Sequence, residues 1–247
     1  MKQFFIQEDG LRLNARLEVP AGARRLAIVI HGFTGHMEEP HIVAVSDAFN
    51  ALGLATLRVD MYGHGHSDGA FHDHTLFKWM TNALTVIDYA RKLDCAEEIY
   101  LCGHSQGGLL VMLAAAMARD VVKGVIPLSP AAMIPEGSRR GELLGMRFDP
   151  DHLPPELDNG KVKLGTNYVR AAQMIDVEAA IDHYDGPVLI VHGTKDNIVK
   201  LDYSRQAQRA YPNAKLHIIE GGGHGFGKKH DAIAIAHLRR FAGRNAE

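Results

Sequence analysis

The stretch YLCGHSQGGLL, residues 100–110, opens like an apolar strand and closes like an apolar helix. Between them stands Ser105, with Gly103 two positions before it and Gly107 two after. A strand that turns straight into a helix through G-x-S-x-G holds its serine in a strained, crowded conformation. Small neighbours let other segments approach that turn. The competing reading makes Ser105 a plain helix N-cap. The flanking chain decides between them.

Outward from this stretch, apolar runs alternate with helical patterns. RLAIVIHG (25–32), LATLRVDMYG (54–63), EIYLCG (98–103), VKGVIPLS (122–129), GPVLIVHG (186–193) and AKLHIIEG (214–221) read as strands. Their continuous β-branched runs mark strands buried on both faces. Helical periods fall at 38–52, 75–93, 105–119, 201–210 and 230–242. Leu76, Met80, Ala83, Ile87 and Ala90 share one face of the second. Strands alternating with helices predict an α/β fold, a mostly parallel central sheet with helices on both faces. The period-two segment LRLNARLEV (11–19) belongs to an antiparallel edge.

One interruption, 131–184, breaks the alternation with the turn-rich segments IPEGSRRG and FDPDHLPPELDNGK and one helical stretch, TNYVRAAQMI. A structureless loop of that length is improbable, so a small inserted subdomain is expected within a single domain, 1–247. Lys and Arg total 27 against 29 Asp and Glu, a net charge of −2. That balance gives no electrostatic case for nucleic acid or an anionic membrane. Two cysteines make no disulfide framework, and no secretory signal or spanning run is visible. A cytoplasmic location is expected.

A serine hydroxyl needs a base for its proton and donors for the oxyanion that forms. In the elbow pattern the partners follow in the order serine, acid, histidine. Asp196 lies just past the strand 187–192, at the sheet edge where open α/β sheets place their sites. His224 lies in IIEGGGHGFG, after the last strand. Asp185 and Asp202 sit away from the loop tip, His217 falls within a strand, and His230 and His237 fall on or near the last helix. Ser105, Asp196 and His224 are therefore the candidate nucleophile, orienting acid and base. The amides of Gln106, directly after the serine, and of Phe33, in the loop after the strand 25–32, are the candidate oxyanion donors.

HGFTG, DMYGHGHSDG, GHSQGG, HGTKD and GGGHGF, in this order, resemble the α/β-hydrolase superfamily across essentially the whole chain. The HGFTGH loop, GHSQGG and the short insertion after PLSPAA closely resemble bacterial cinnamoyl (feruloyl) esterases. That resemblance implies hydrolysis of hydroxycinnamoyl esters without a cofactor, an insertion acting as a lid over the aromatic acyl group, and a homodimer. It places the same roles on Ser105, Asp196, His224, Phe33 and Gln106. Polar lid side chains grip the phenol in that family. The aromatics of 131–184 are Phe148, Tyr168 and Tyr184, and Tyr168 and Gln173 are the candidates for that grip.

Other chemistries leave weaker traces. His64, His66 and Asp68 in GHGHSDG are similar to a metallohydrolase signature, but Gly69 stands where its last histidine belongs, and His72 and His74 follow at the wrong spacing. The stretch reads better as a turn, with no metal. A non-catalytic binder has no use for an elbow serine. A general short-chain carboxylesterase or a monoacylglycerol lipase shares every catalytic residue and differs only in the lid.

Overall fold

The structure of the protein, a computed structural model, describes residues 2–244. In chain order, β1 (Lys2–Glu8), β2 (Leu11–Glu18), β3 (Arg25–Ile30), α1 (Pro40–Asn50), β4 (Ala55–Val59) and α2 (Leu76–Ala90) lead into β5 (Glu98–His104), α3 (Gln106–Met117) and β6 (Val122–Leu128). The chain closes with β11 (Val188–Gly193), α7 (Leu201–Ala210), β12 (Ala214–Ile219) and α8 (Lys228–Arg244). Eight strands form one sheet in the order β1-β2-β4-β3-β5-β6-β11-β12. β1–β2 and β2–β4 are antiparallel and the remaining pairs parallel. This is the α/β-hydrolase fold. The expected antiparallel edge gains a strand, β1, that its exposed outer residues concealed in the sequence.

The order of the central strands positions the site. After β3 the chain steps to β4 on one side, and later to β5 on the other. At that reversal the loops leaving β3 and β5 diverge and open a crevice. Ile30 is in register with Gly103, so the loop of Phe33 and the turn of Ser105 leave the sheet side by side.

Helices α1 and α8 cover one face, where Ile42, Phe49 and Leu238 pack on Val29, Cys102 and Val191. Helix α3 lies on the other. Its residues Gln106 to Ala115 are all buried, because the sheet is beneath it and the insertion above. An all-round apolar helix of this kind is stable only when enclosed.

Between β6 and β11 lie α4 (Met133–Arg140), two short ribbons, β7 (Glu142–Leu143) with β8 (Met146–Arg147) and β9 (Glu156–Asp158) with β10 (Lys163–Gly165), then α5 (Thr166–Gln173) and α6 (Val177–Ile181). The helix expected in TNYVRAAQMI is α5. Helix α4 was hidden by its proline and glycines. Pro135 occupies the first turn, where its missing N–H has no helical partner to lose. Gly141, at φ 74°, ends the helix in the left-handed conformation common at helix C-termini.

Three histidines are buried neutral. Burial holds His31 at about 3, His74 at about 4 and His104 at about 3, far below the ordinary value of about 6.5. Below that value the unfolded chain binds protons the native one refuses, so stability falls as pH drops from 6.5 toward 4. Each group contributes a slope approaching about 1.4 kcal/mol per pH unit. The urea midpoint is expected to drop steeply between pH 6.5 and 5. A midpoint that stays level from pH 7 to 5 would contradict this burial.

Candidate active site

Ser105 joins β5 to α3 at φ 56° and ψ −118°. A positive φ is unusual for a residue with a side chain and costs about 1–3 kcal/mol unless its surroundings impose it. Here they do. The Ser105 amide donates to the Leu128 carbonyl (2.9 Å), and its carbonyl accepts from Leu109 (3.0 Å) and Ala131 (2.9 Å). A Cβ on Gly103 would run into the Gly107 carbonyl, and one on Gly107 into the carbonyls of His31 and Ile30. The two glycines are therefore a packing requirement of the turn. The Ser105 side chain makes no N-cap bond to α3, which leaves the hydroxyl for other use.

That hydroxyl meets His224 Nε2 at 2.8 Å, and His224 Nδ1 meets Asp196 Oδ2 at 2.8 Å. The loops carrying the last two are knitted together. Lys195 donates to the Gly222 carbonyl (2.8 Å), and the Gly221 amide to Thr194 Oγ1 (2.9 Å). Asp196 Oδ1 accepts from the amides of Ile198 (2.9 Å) and Val199 (2.8 Å). Burial alone would raise the Asp196 pKa. Contacts to His192 and His224 and the two amides outweigh it and hold the carboxyl well below the usual range. The remaining acids and bases lie elsewhere. Asp202 pairs with Arg205, His230 with the Phe226 carbonyl, and His217 stacks on His237 at 3.8 Å.

Gln106 is the first residue of α3, so its amide belongs to the helix end whose donors lack helical acceptors and carry a partial positive charge. Phe33 follows β3. His64 Nε2 hydrogen-bonds its carbonyl at 2.5 Å, and its ring packs edge-on against Phe71 and Tyr168. Phe33, Ser105 and His224 line a cavity of about 870 Å3. Its apolar wall includes Met133, Ile134, Leu143, Leu144, Met146 and Val162. Glu142, Arg147, Asn159 and Lys161 add polar groups from the ribbons. A cavity of this size and character suits a small organic ligand.

Neither Tyr168 nor Gln173 is among the residues lining it. Tyr168 is 1% exposed, and its hydroxyl donates to Gln106 Oε1 at 2.6 Å. It ties the insertion to the start of α3, because a buried phenol must find an acceptor. Gln173 donates to the carbonyls of Ser138 and Pro150, bracing α5 against the start of the insertion. The GHGHSDG residues do not converge on a metal position either. His64 faces the carbonyls of Tyr62 and Phe33, and Asp68 is engaged by Arg12. Among the described residues, no group of three or more His, Cys, Asp or Glu side chains could hold a metal ion.

Two histidines near the site, His104 and His192, escaped the sequence reading, and His64 was read in another role. His104 Nε2 donates to the His224 carbonyl (2.8 Å), His64 holds the Phe33 loop, and His192 borders Asp196. A histidine inside a buried strand end, as in CGHS and VHG, was the available signal.

The "Serine aminopeptidase, S33" family model matches residues 21–150, and the "alpha/beta hydrolase fold" model matches 166–231. The chain is 53% identical to Est1E from Butyrivibrio proteoclasticus, solved with ferulic acid bound. The match covers 98% of this chain and 99% of that one, at a TM-score of 0.96. A putative esterase/lipase of Haemophilus influenzae is 25% identical, over 88% of this chain and 83% of that protein. Mouse palmitoyl-protein thioesterase ABHD10 is 29% identical, over 83% of this chain and 70% of that protein.

Tyr168→Phe keeps the ring but strands Gln106 Oε1 in the interior. It is expected to lower stability by about 1–3 kcal/mol while leaving KM for a p-nitrophenyl ester within about twofold. A several-fold rise in KM at unchanged stability would return Tyr168 to the substrate.

Proposed function

The chain belongs to the α/β-hydrolase family and is an esterase of that fold; from that premise we propose that it is a serine carboxylesterase of hydroxycinnamoyl, feruloyl-type esters, with the 131–184 insertion as its lid. The observation that carries the reading is the unbroken line from Ser105 Oγ through His224 to Asp196, opening into a mainly apolar cavity.

In the proposed reaction Ser105 Oγ attacks the ester carbonyl as its proton passes to His224 Nε2. The carbonyl π electrons become an oxyanion facing the amides of Gln106 and Phe33. Asp196 fixes the Nδ1–H tautomer of His224 and stabilises the imidazolium. When the tetrahedral adduct collapses, the C–O bond to the alcohol breaks and the alcohol leaves with the His224 proton. Water then repeats the sequence on the acyl-enzyme, releasing the acid and restoring the serine. One missing oxyanion donor typically costs about 10²–10³ in turnover.

The acyl assignment has two supports. The first is the wall of methionine, leucine and isoleucine side chains with polar groups on the ribbons. The second is similarity to Est1E, solved with ferulic acid bound, over nearly the full length of both chains. Methionines suit such a wall because their flexible, polarisable side chains adapt to a flat aromatic group.

The reading expects kcat/KM for methyl ferulate to exceed that for p-nitrophenyl butyrate and for a medium-chain monoacylglycerol. Ser105→Ala should lose at least about 10³ in kcat on all three. Preference for butyrate or the glyceride would keep the serine mechanism and discard the acyl group. Activity of Ser105→Ala within a few-fold of wild type would discard the mechanism.

A further inference from the structure

A second imidazole lies against Asp196. His192, near the end of β11, is 0% exposed. Its Nε2 stands 3.1 Å from Asp196 Oδ2, the same oxygen that accepts from His224 Nδ1. The Nε2–H is aimed at the Val199 carbonyl, 3.0 Å away, so one donor faces two oxygens. Val199 closes a ring of contacts, since its amide donates to Asp196 Oδ1. On the other side of the imidazole, Nδ1 lies 2.7 Å from Ser204 Oγ on α7. Nε2 faces only acceptors and Nδ1 faces a hydroxyl that can donate. These contacts select the tautomer protonated at Nε2.

We propose that His192 is a positioning residue for ester hydrolysis. It does not reach the ester. It acts by fixing Asp196 Oδ2, and the turn 196–199, in register with His224. The inference rests on the serine-esterase reading above and is independent of the acyl group.

The Asp196 side chain is 1% exposed, so its charge must be balanced by local donors. Oδ1 has two amides. Without His192, Oδ2 would rely on His224 alone, the residue it has to orient. Rotation of the carboxylate would then carry the His224 ring with it, away from Ser105 Oγ. The His192 N–H also draws electron density from Oδ2. Ser204 completes the arrangement by engaging Nδ1, which discourages the opposite tautomer.

The first test needs only the wild-type enzyme. Nitrogen-15 NMR of the His192 ring is expected to show the Nε2–H tautomer. The Nδ1–H tautomer would overturn the proposal, because Nε2 would then have no proton to offer. The second test is His192→Phe, which keeps a ring in the space and removes both nitrogens. With p-nitrophenyl butyrate, kcat per folded molecule is expected to fall about 10–100-fold, the scale seen when partners of site residues are removed. KM should stay within about twofold. The acid limb of kcat/KM should move to higher pH, because Asp196, missing a donor, holds the His224 proton more strongly. His192→Gln, which retains an N–H, should recover part of both changes. A packing role would lower the melting temperature and leave the acid limb in place. That outcome, or wild-type kcat in His192→Phe, overturns the proposal. Ser105→Ala measured alongside separates the two readings. Activity there fails the serine mechanism, whereas Ser105-dependent activity indifferent to His192 fails only the positioning role.

Discussion

The site depends on one constraint, the left-handed backbone of Ser105. No residue with a side chain holds φ 56° and ψ −118° on its own preference. The conformation persists because β3 and β6 flank β5 closely and because carbonyls crowd where the Gly103 and Gly107 side chains would be. The Leu128 carbonyl, at the end of β6, anchors the turn through its hydrogen bond to the Ser105 amide. A parallel sheet can impose such a clamp because three consecutive strand ends meet at one level. The strain is carried by the sheet and α3 together, both deep in the core.

From that fixed point the other parts are placed by loops of increasing independence. Phe33 comes from the loop after the neighbouring strand, β3, whose last residue is in register with Gly103. Asp196 and His224 come from the loops after β11 and β12, further along the sheet, and need more ties of their own. Their loops are joined by backbone bonds between Lys195 and Gly222 and by Thr194 on Gly221. His104, next to the serine, reaches across to the His224 carbonyl. The insertion is fastened at the same place, through Tyr168 on Gln106. The cavity and the Ser105 hydroxyl are thus referenced to the first residues of α3.

Much of this was legible in the residues. Continuous apolar runs ending in glycine marked the buried strands because a strand covered on both faces has no polar side to show. The serine, acid and histidine stood out because each followed a strand end in the order the turn requires. What remained hidden was of another kind. Helix α4 was masked by Pro135 and Gly141, whose usual meaning as turn residues is cancelled in the first turn and at the C-cap of a helix. Tyr168 and Gln173 were assigned to the ligand on residue type alone, and tertiary contacts claimed both for structure. Of the polar groups on the cavity wall, Glu142 and Arg147 sit on a ribbon with strands of two residues, and Asn159 and Lys161 in the turn of the other, both too short to leave a period. His192 showed in the sequence only as a histidine in a buried strand; its closeness to Asp196, four residues away across a turn, is created by the folded loop.

The central claim, that Ser105 takes up a hydroxycinnamoyl group, is tested most directly by trapping the intermediate. Enzyme mixed with methyl ferulate and quenched in acid within the first turnovers would be digested and examined by mass spectrometry. The account expects the peptide carrying Ser105 to gain the mass of one feruloyl group, and expects no such gain in Ser105→Ala. Turnover of methyl ferulate without a serine-linked acyl group, undiminished in Ser105→Ala, would contradict it.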